Sequence, residues 1–129
     1  MARSNFSGPL RSSLGYEVGQ GSAALTVIDA AGAINPGGLG TPITQIRVYS
    51  QTITPASVAA ATTAQQTFTV TGLATTDTVI VNSPAPTAGT GIVNAFVSAA
   101  DTLAVTFVNP TAGALVPVSG TYVITAFRR

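Results

Sequence analysis

Nine charged side chains are all that this sequence offers for acid–base or ionic chemistry. Glu17, Asp29, Asp77 and Asp101 stand against Arg3, Arg11, Arg47, Arg128 and Arg129, with no Lys, His, Cys or Trp in 129 residues. A Ser or Thr nucleophile needs a neighbouring base, and here four carboxylates are the only groups that could serve. Glycoside hydrolysis needs two carboxylates at a set separation. Asp77 and Asp101 are the pair with matching surroundings, because each stands in an Asp-Thr step before an apolar run: Leu73–Val79 reads LATTDTV and Val97–Leu103 reads VSAADTL. At such steps Asp fixes a turn by accepting hydrogen bonds from backbone N–H groups two residues on. Both are therefore read as turn residues and not as catalysts. Zinc lacks Cys and His ligands, and calcium lacks an acidic loop. The segment Ile34–Gly40, INPGGLG, lacks the Lys of a phosphate loop and opens no helix, so it is a turn. The residues predict a non-enzyme with no catalytic, cofactor-binding or metal-binding residues and no cofactor.

The elements that carry so few charges are apolar and built for packing. Apolar residues make up 46% of the chain and charged residues 7%, the opposite of a disordered composition. The length suits a single domain, which at this size buries roughly two-thirds of its unfolded surface. The absence of Cys leaves the redox compartment unread. The first residues contain no apolar core of a signal peptide, and no run approaches the roughly 18 apolar residues of a membrane helix, so neither is expected. Four of the five arginines lie at the two ends, and between them one Arg faces four carboxylates. A slightly acidic body lacks the basic stripe that nucleic acid requires. Basic ends aid solubility or reach an acidic partner surface.

Strand signals dominate from residue 43 onward. Ile43–Thr54, Gln65–Thr71, Thr78–Asn82, Ile92–Ser98, Thr102–Asn109 and Thr121–Phe127 are rich in Val, Ile, Thr and Phe, with turn residues between them. Ala24–Ile28 adds a short strand before a Gly- and Pro-rich loop. Pro55–Ala64 is rich in Ala but interrupted by Val58, Thr62 and Thr63, and is read as a loop with at most one helical turn. This pattern predicts an all-β, antiparallel β-sandwich, jelly-roll-like, over residues 23–129, preceded by an extended N-terminal arm over residues 1–22. Phe68 and Val70 share one face, and Val105 and Phe107 belong in the core. In Thr121–Phe127, Tyr122, Ile124 and Ala126 point one way and Val123 and Phe127 the other. Plain alternation sets Ile92 and Phe96 against Val93 and Val97. Strands apolar on both faces need a cover on both, which predicts a homo-oligomer. Tyr16 and Tyr49 are the aromatics left over as possible sugar contacts.

The wording of two segments carries a resemblance. Ala59–Leu73, AAATTAQQTFTVTGL, and residues 76–113, TDTVIVNSPAPTAGTGIVNAFVSAADTLAVTFVNPTAG, resemble a recurrent block in small virion proteins of tailed bacteriophages, over roughly residues 51–127. The likeness is greatest to capsid decoration (cement) proteins. It implies a β-sandwich structural protein on the capsid surface of a virion assembled in the host cytoplasm. It implies a homotrimer whose partner is the major capsid protein, with no nucleic acid or membrane bound. Related β-modules occur in tail fibres and spikes, so a module binding host surface glycans is the alternative. On the decoration reading, the capsid contacts are expected at Arg3, Phe6, Leu10, Arg11, Tyr16, Arg128 and Arg129.

Overall fold

The computed structural model describes residues 40–129 and, of the earlier chain, the strands Tyr16–Val18, Thr26–Ile28 and Ile34–Pro36. Two compact units divide the chain, Met1–Thr44 and Gln45–Arg129. In the first unit the strands β1 (Tyr16–Val18), β2 (Thr26–Ile28) and β3 (Ile34–Pro36) form an antiparallel sheet in chain order. β3 continues into a single bridge between Ile34 and Ile43. Thus β2 falls in the expected Ala24–Ile28 strand, whereas β1 lies in the segment read as an arm and β3 in the Gly/Pro-rich loop. Neither has an alternating apolar run to announce it.

The second unit is an all-β antiparallel sandwich of two three-stranded sheets. Its strands are β4 (Gln45–Ile53), β5 (Thr62–Thr69), β6 (Asp77–Asn82), β7 (Gly91–Ala99), β8 (Thr102–Asn109) and β9 (Gly120–Arg128). One sheet has the order β4-β9-β6 and the other β5-β8-β7. The chain alternates between sheets at every connection except the β7–β8 hairpin. Pro55–Ala61 is a loop, as read, whereas Thr62–Ala64, expected to belong to that loop, is the start of β5.

Period-2 alternation decides what each sheet buries. From the first sheet, Ile53, Tyr122, Ile124 and Ala126 point inward; from the second, Val97, Leu103, Val105 and Phe107 meet them. Val58, Val70 and Leu73 close the ends from the loops. Phe68 meets Phe107 edge to face, with ring centroids 6.4 Å apart and planes at 83°, an arrangement that aligns ring edge with ring face. The inward placement of Val105, Phe107, Tyr122, Ile124 and Ala126 agrees with the sequence reading.

β7 departs from plain alternation. Its pairing with β8 slips between Ile92 and Asn94 and again between Val97 and Ala99. Each slip inserts an extra residue and resets which face follows. Ile92, Ala95 and Val97 therefore pair with Phe107, Val105 and Leu103 on the core side, while Val93 and Phe96 are exposed. The expectation that Ile92 and Phe96 share a face is corrected by the bulge.

Candidate functional site

Three places in the sandwich gather side chains that do more than fill space: a polar hub at each end and an apolar outer face. The first hub is built around the Thr71-Gly72 turn between β5 and β6. Arg128, near the end of β9, donates from Nε to Asp77 Oδ1 at 2.7 Å and from Nη2 to Asp77 Oδ2 at 2.8 Å. The same guanidinium reaches the Gly72 carbonyl at 2.9 Å and Gln45 Oε1 at 3.3 Å. Tyr49 Oη also donates to the Gly72 carbonyl, at 3.1 Å, and Asp101 Oδ1 accepts from the Gly72 N–H at 2.6 Å. Gly72 has φ +100°, a conformation that favours glycine, and a Cβ there would also press on Tyr49 Oη at 3.2 Å.

Burial and charge in this hub oppose each other at Asp77. Its side chain is 1% exposed, which alone would raise its pKa. The hydrogen bonds from Arg128 outweigh that burial, aided by the Ala74 N–H and the Arg47 charge, and hold the carboxyl below its ordinary value. Arg128 is shifted upward by the same hydrogen bonds. Both aspartates do fix turns, but not through groups two residues on. Asp77 accepts from Ala74 within its own turn, and Asp101, in the left-handed region at φ 58°, reaches across to Gly72. Asp77 is engaged by Arg128 and Asp101 by the Gly72 N–H, an arrangement that holds strands together.

The second hub is Asn109 at the end of β8, fully buried at 0% exposure. Its Nδ2 donates toward the carbonyls of Val58 at 3.0 Å, Ala59 at 3.1 Å and Gly113 at 2.8 Å. Its Oδ1 accepts from Thr111 N at 3.0 Å and Thr111 Oγ1 at 2.7 Å. This one amide ties the β4–β5 loop to the β8–β9 loop beside the Val58–Leu115 bridge. Among the described residues no buried side-chain nitrogen or oxygen lacks a partner. An open groove of about 510 Å³ beside this hub, lined by Ala61–Thr63 and Val108–Pro110, holds no ionisable side chain. Among the described residues no three His, Cys, Asp or Glu side chains cluster as a metal site would require, and no helix is long and apolar enough to cross a membrane.

The outer face of the β4-β9-β6 sheet is the third place. Cross-strand rows there read Ile46–Phe127–Thr78, Val48–Thr125–Ile80 and Ser50–Val123–Asn82. Val48 is 66% exposed, Ile46 57%, Ile80 55% and Val123 38%. Together they present on the order of 400 Å² of apolar surface, within the roughly 300–600 Å² of the largest patches on monomers, which are often functional. The other sheet is lined outward on β5 by Thr63, Gln65, Thr67 and Thr69, and on β7 it exposes Val93 and Phe96.

Arg3, Phe6, Leu10 and Arg11 lie outside the described residues, as does Asp29, and Tyr16 is described only as part of β1. Arg128 is placed in the Asp77 hub, while Arg129 is exposed at the end of the sandwich unit. Of the predicted contact residues, the sandwich unit therefore holds the consecutive Arg128 and Arg129. Tyr49, left over as a possible sugar contact, points inward against the core and bonds Gly72. Sequence reasoning missed Asn109 as a hub and placed it only at the end of the Thr102–Asn109 strand, before Pro110. The exposed Ile46, Val48 and Ile80 were legible only as apolar residues alternating with Arg47, Tyr49 and Val79. No protein-family model matches the chain, and neither curated proteins nor solved structures provide a match.

Proposed function

We propose that this chain is a capsid decoration protein of a tailed bacteriophage, which stabilises the shell by bridging major capsid proteins as a homo-oligomer, three copies by the resemblance. One observation carries the reading: an exposed apolar sheet face on a domain whose buried polar side chains are engaged internally. Such a face gains free energy when another protein covers it, roughly 25 cal/mol for each Å² of apolar surface removed from water. The mechanism is mechanical. Apolar cover holds each copy to its neighbours, the internal hubs keep its loops from yielding, and repetition over a shell multiplies a modest contact. The resemblance over residues 51–127 spans most of the sandwich and supplies the virion context. Arg129 and the N-terminal segment remain the proposed capsid contacts, whereas the bidentate pair with Asp77 leaves Arg128 a smaller part.

The test is location and occupancy. Antibody raised against the chain should label the head shell of virions. Label confined to the tail, with binding of the purified protein to a glycan array, would replace this reading with the fibre module. Removal of residues 1–20 should lower capsid occupancy. Wild-type occupancy of that variant excludes the N-terminal contacts.

A further inference from the structure

We infer that β4 is an adhesive edge on which the β4 strand of a second copy of this chain adds antiparallel, centred on Val48. A three-over-three sandwich has four edge strands, and an edge left unmanaged is a template for pairing. Three of the four are managed here. β6 is short and lies against β7 across one side of the sandwich, and β7 itself is bent by two bulges. β5 faces outward with Thr and Gln, and its Gln66 holds Ala56 by two hydrogen bonds, of 2.7 and 3.0 Å, that mimic a strand partner. Among the described residues β4 has neither cover, bulge nor side-chain cap, and its one protection is the Arg47 charge on the core-facing side near its Gln45 end. It runs nine residues without a bulge, a Pro or a Lys, and pairs only with β9 among the described residues. It also carries Ile46 and Val48, the two most exposed members of the apolar face.

The occupant must be a strand, because what the edge offers is a row of backbone donors and acceptors. A second copy fits because β4 can pair with itself in every register except the one centred on Arg47, and centring on Val48 sets its most exposed apolar residue against its own copy. Centring the pair on Arg47 would set two guanidiniums opposite each other. Centring it on Val48 pairs Val48 with itself, Ile46 with Ser50 and Arg47 with Tyr49, so that no like charges meet. The two outer faces then join into one six-stranded surface with the apolar residues at its middle. Strand pairing of this length buries on the order of 700 Å² in total, below the roughly 1,200 Å² at which stable interfaces begin. The contact is therefore weak between free chains and consolidated where copies are held side by side. A two-fold contact cannot build a trimer. It makes a dimer of free chains or links one trimer to the next. The inference stands on the edge geometry and does not depend on the virion reading.

Because the chain has no cysteine, single cysteines report the contact directly. In the proposed register the two Val48 positions face each other within disulfide range, whereas the two Ser50 positions lie about 14 Å apart, beyond the roughly 7 Å limit. Full-length Val48→Cys should therefore form an oxidised two-chain species at least about tenfold faster than Ser50→Cys, and a mixture of Ile46→Cys and Ser50→Cys should cross-link as the pair predicts. The native mass of the Val48→Cys product separates a dimer from linked trimers. Equal rates for Val48→Cys and Ser50→Cys, with both variants folded by circular dichroism, overturn the register. Absence of any cross-link in Val48→Cys or in the mixture, at high protein concentration, overturns the edge contact itself.

Discussion

Asn109→Asp puts the severest demand on the structure for the least change in shape. The substitution keeps every heavy-atom position and replaces the amide NH₂ with a second carboxyl oxygen. In the native protein Nδ2 faces three carbonyl oxygens, of Val58, Ala59 and Gly113, at 2.8–3.1 Å. An ionised carboxylate there would point a negative oxygen at three acceptors in a fully buried place. Two donated hydrogen bonds are lost, at about 1 kcal/mol each, and the abandoned carbonyls add about 1–3 kcal/mol of desolvation. The buried carboxyl must then be neutralised or suffer a further penalty, which brings the deficit at neutral pH to about 4–6 kcal/mol. That is a large share of the roughly 5–15 kcal/mol that stabilises a domain. Urea unfolding with matched slopes measures it. Burial and the facing carbonyls raise the pKa of the introduced carboxyl in the folded state, and protonation restores one donor. Stability of the variant relative to the native chain must therefore improve as pH falls through that raised value, before the native chain begins its own acid loss. A deficit under about 1.5 kcal/mol at pH 7, or one that does not shrink on mild acidification, would refute the view that this amide ties the two loops.

Three further outcomes test other parts of the sandwich. Phe107→Ala removes a core ring that is stacked edge to face with Phe68 and should cost about 3–5 kcal/mol in chemical denaturation. Tyr122→Phe deletes the 2.7 Å hydrogen bond to the Val118 carbonyl, with an expected loss of about 1–2 kcal/mol and no change in the circular dichroism spectrum. The depressed pKa of Asp77 means that its contribution is present above the ordinary value of 3.8 and is lost as pH falls through the lower folded value. Asp77→Asn should accordingly be less stable than the native chain at neutral pH and show a flatter stability profile below about pH 4, measured by thermal unfolding across pH.

The six strands of the sandwich were legible because Val, Ile, Thr and Phe alternate there and Gly, Pro, Asn and Asp punctuate them. Alternation also placed Val105, Phe107 and Ile124 inward correctly. It failed at β7, where the bulges between Ile92 and Asn94 and between Val97 and Ala99 leave no compositional mark and turn Phe96 away from Ile92. The hubs were less legible for a different reason. Asp77 and Arg128 are 51 residues apart, and nothing in either neighbourhood signals the other. Asn109 could be named a turn residue from Asn-Pro, but its three carbonyl acceptors come from loops whose meeting depends on the whole fold. β1 and β3 escaped notice because neither Tyr16–Val18 nor Ile34–Pro36 sits in a β-branched apolar run like Ala24–Ile28, which announced β2.

The position of β9 in its sheet has a consequence for how the domain comes into being. It is the central strand of its sheet, yet it follows both of its neighbours, β4 and β6, in the chain. A ribosome releasing this polypeptide can deliver the β7–β8 hairpin and its β5 neighbour early, since those three pair among themselves. The other sheet has no hydrogen-bonded pair until β9 begins to emerge, since β4 and β6 pair only with β9 among the described residues. Until then β4 and β6 wait with both edges bare, and the later closure joins residues as far apart as Gln45 and Arg128. Such distant pairing places folding toward the slow end, in milliseconds to seconds. In the interval the nascent chain is adhesive along β4, and a neighbouring nascent copy is the competitor that β9 must outrun.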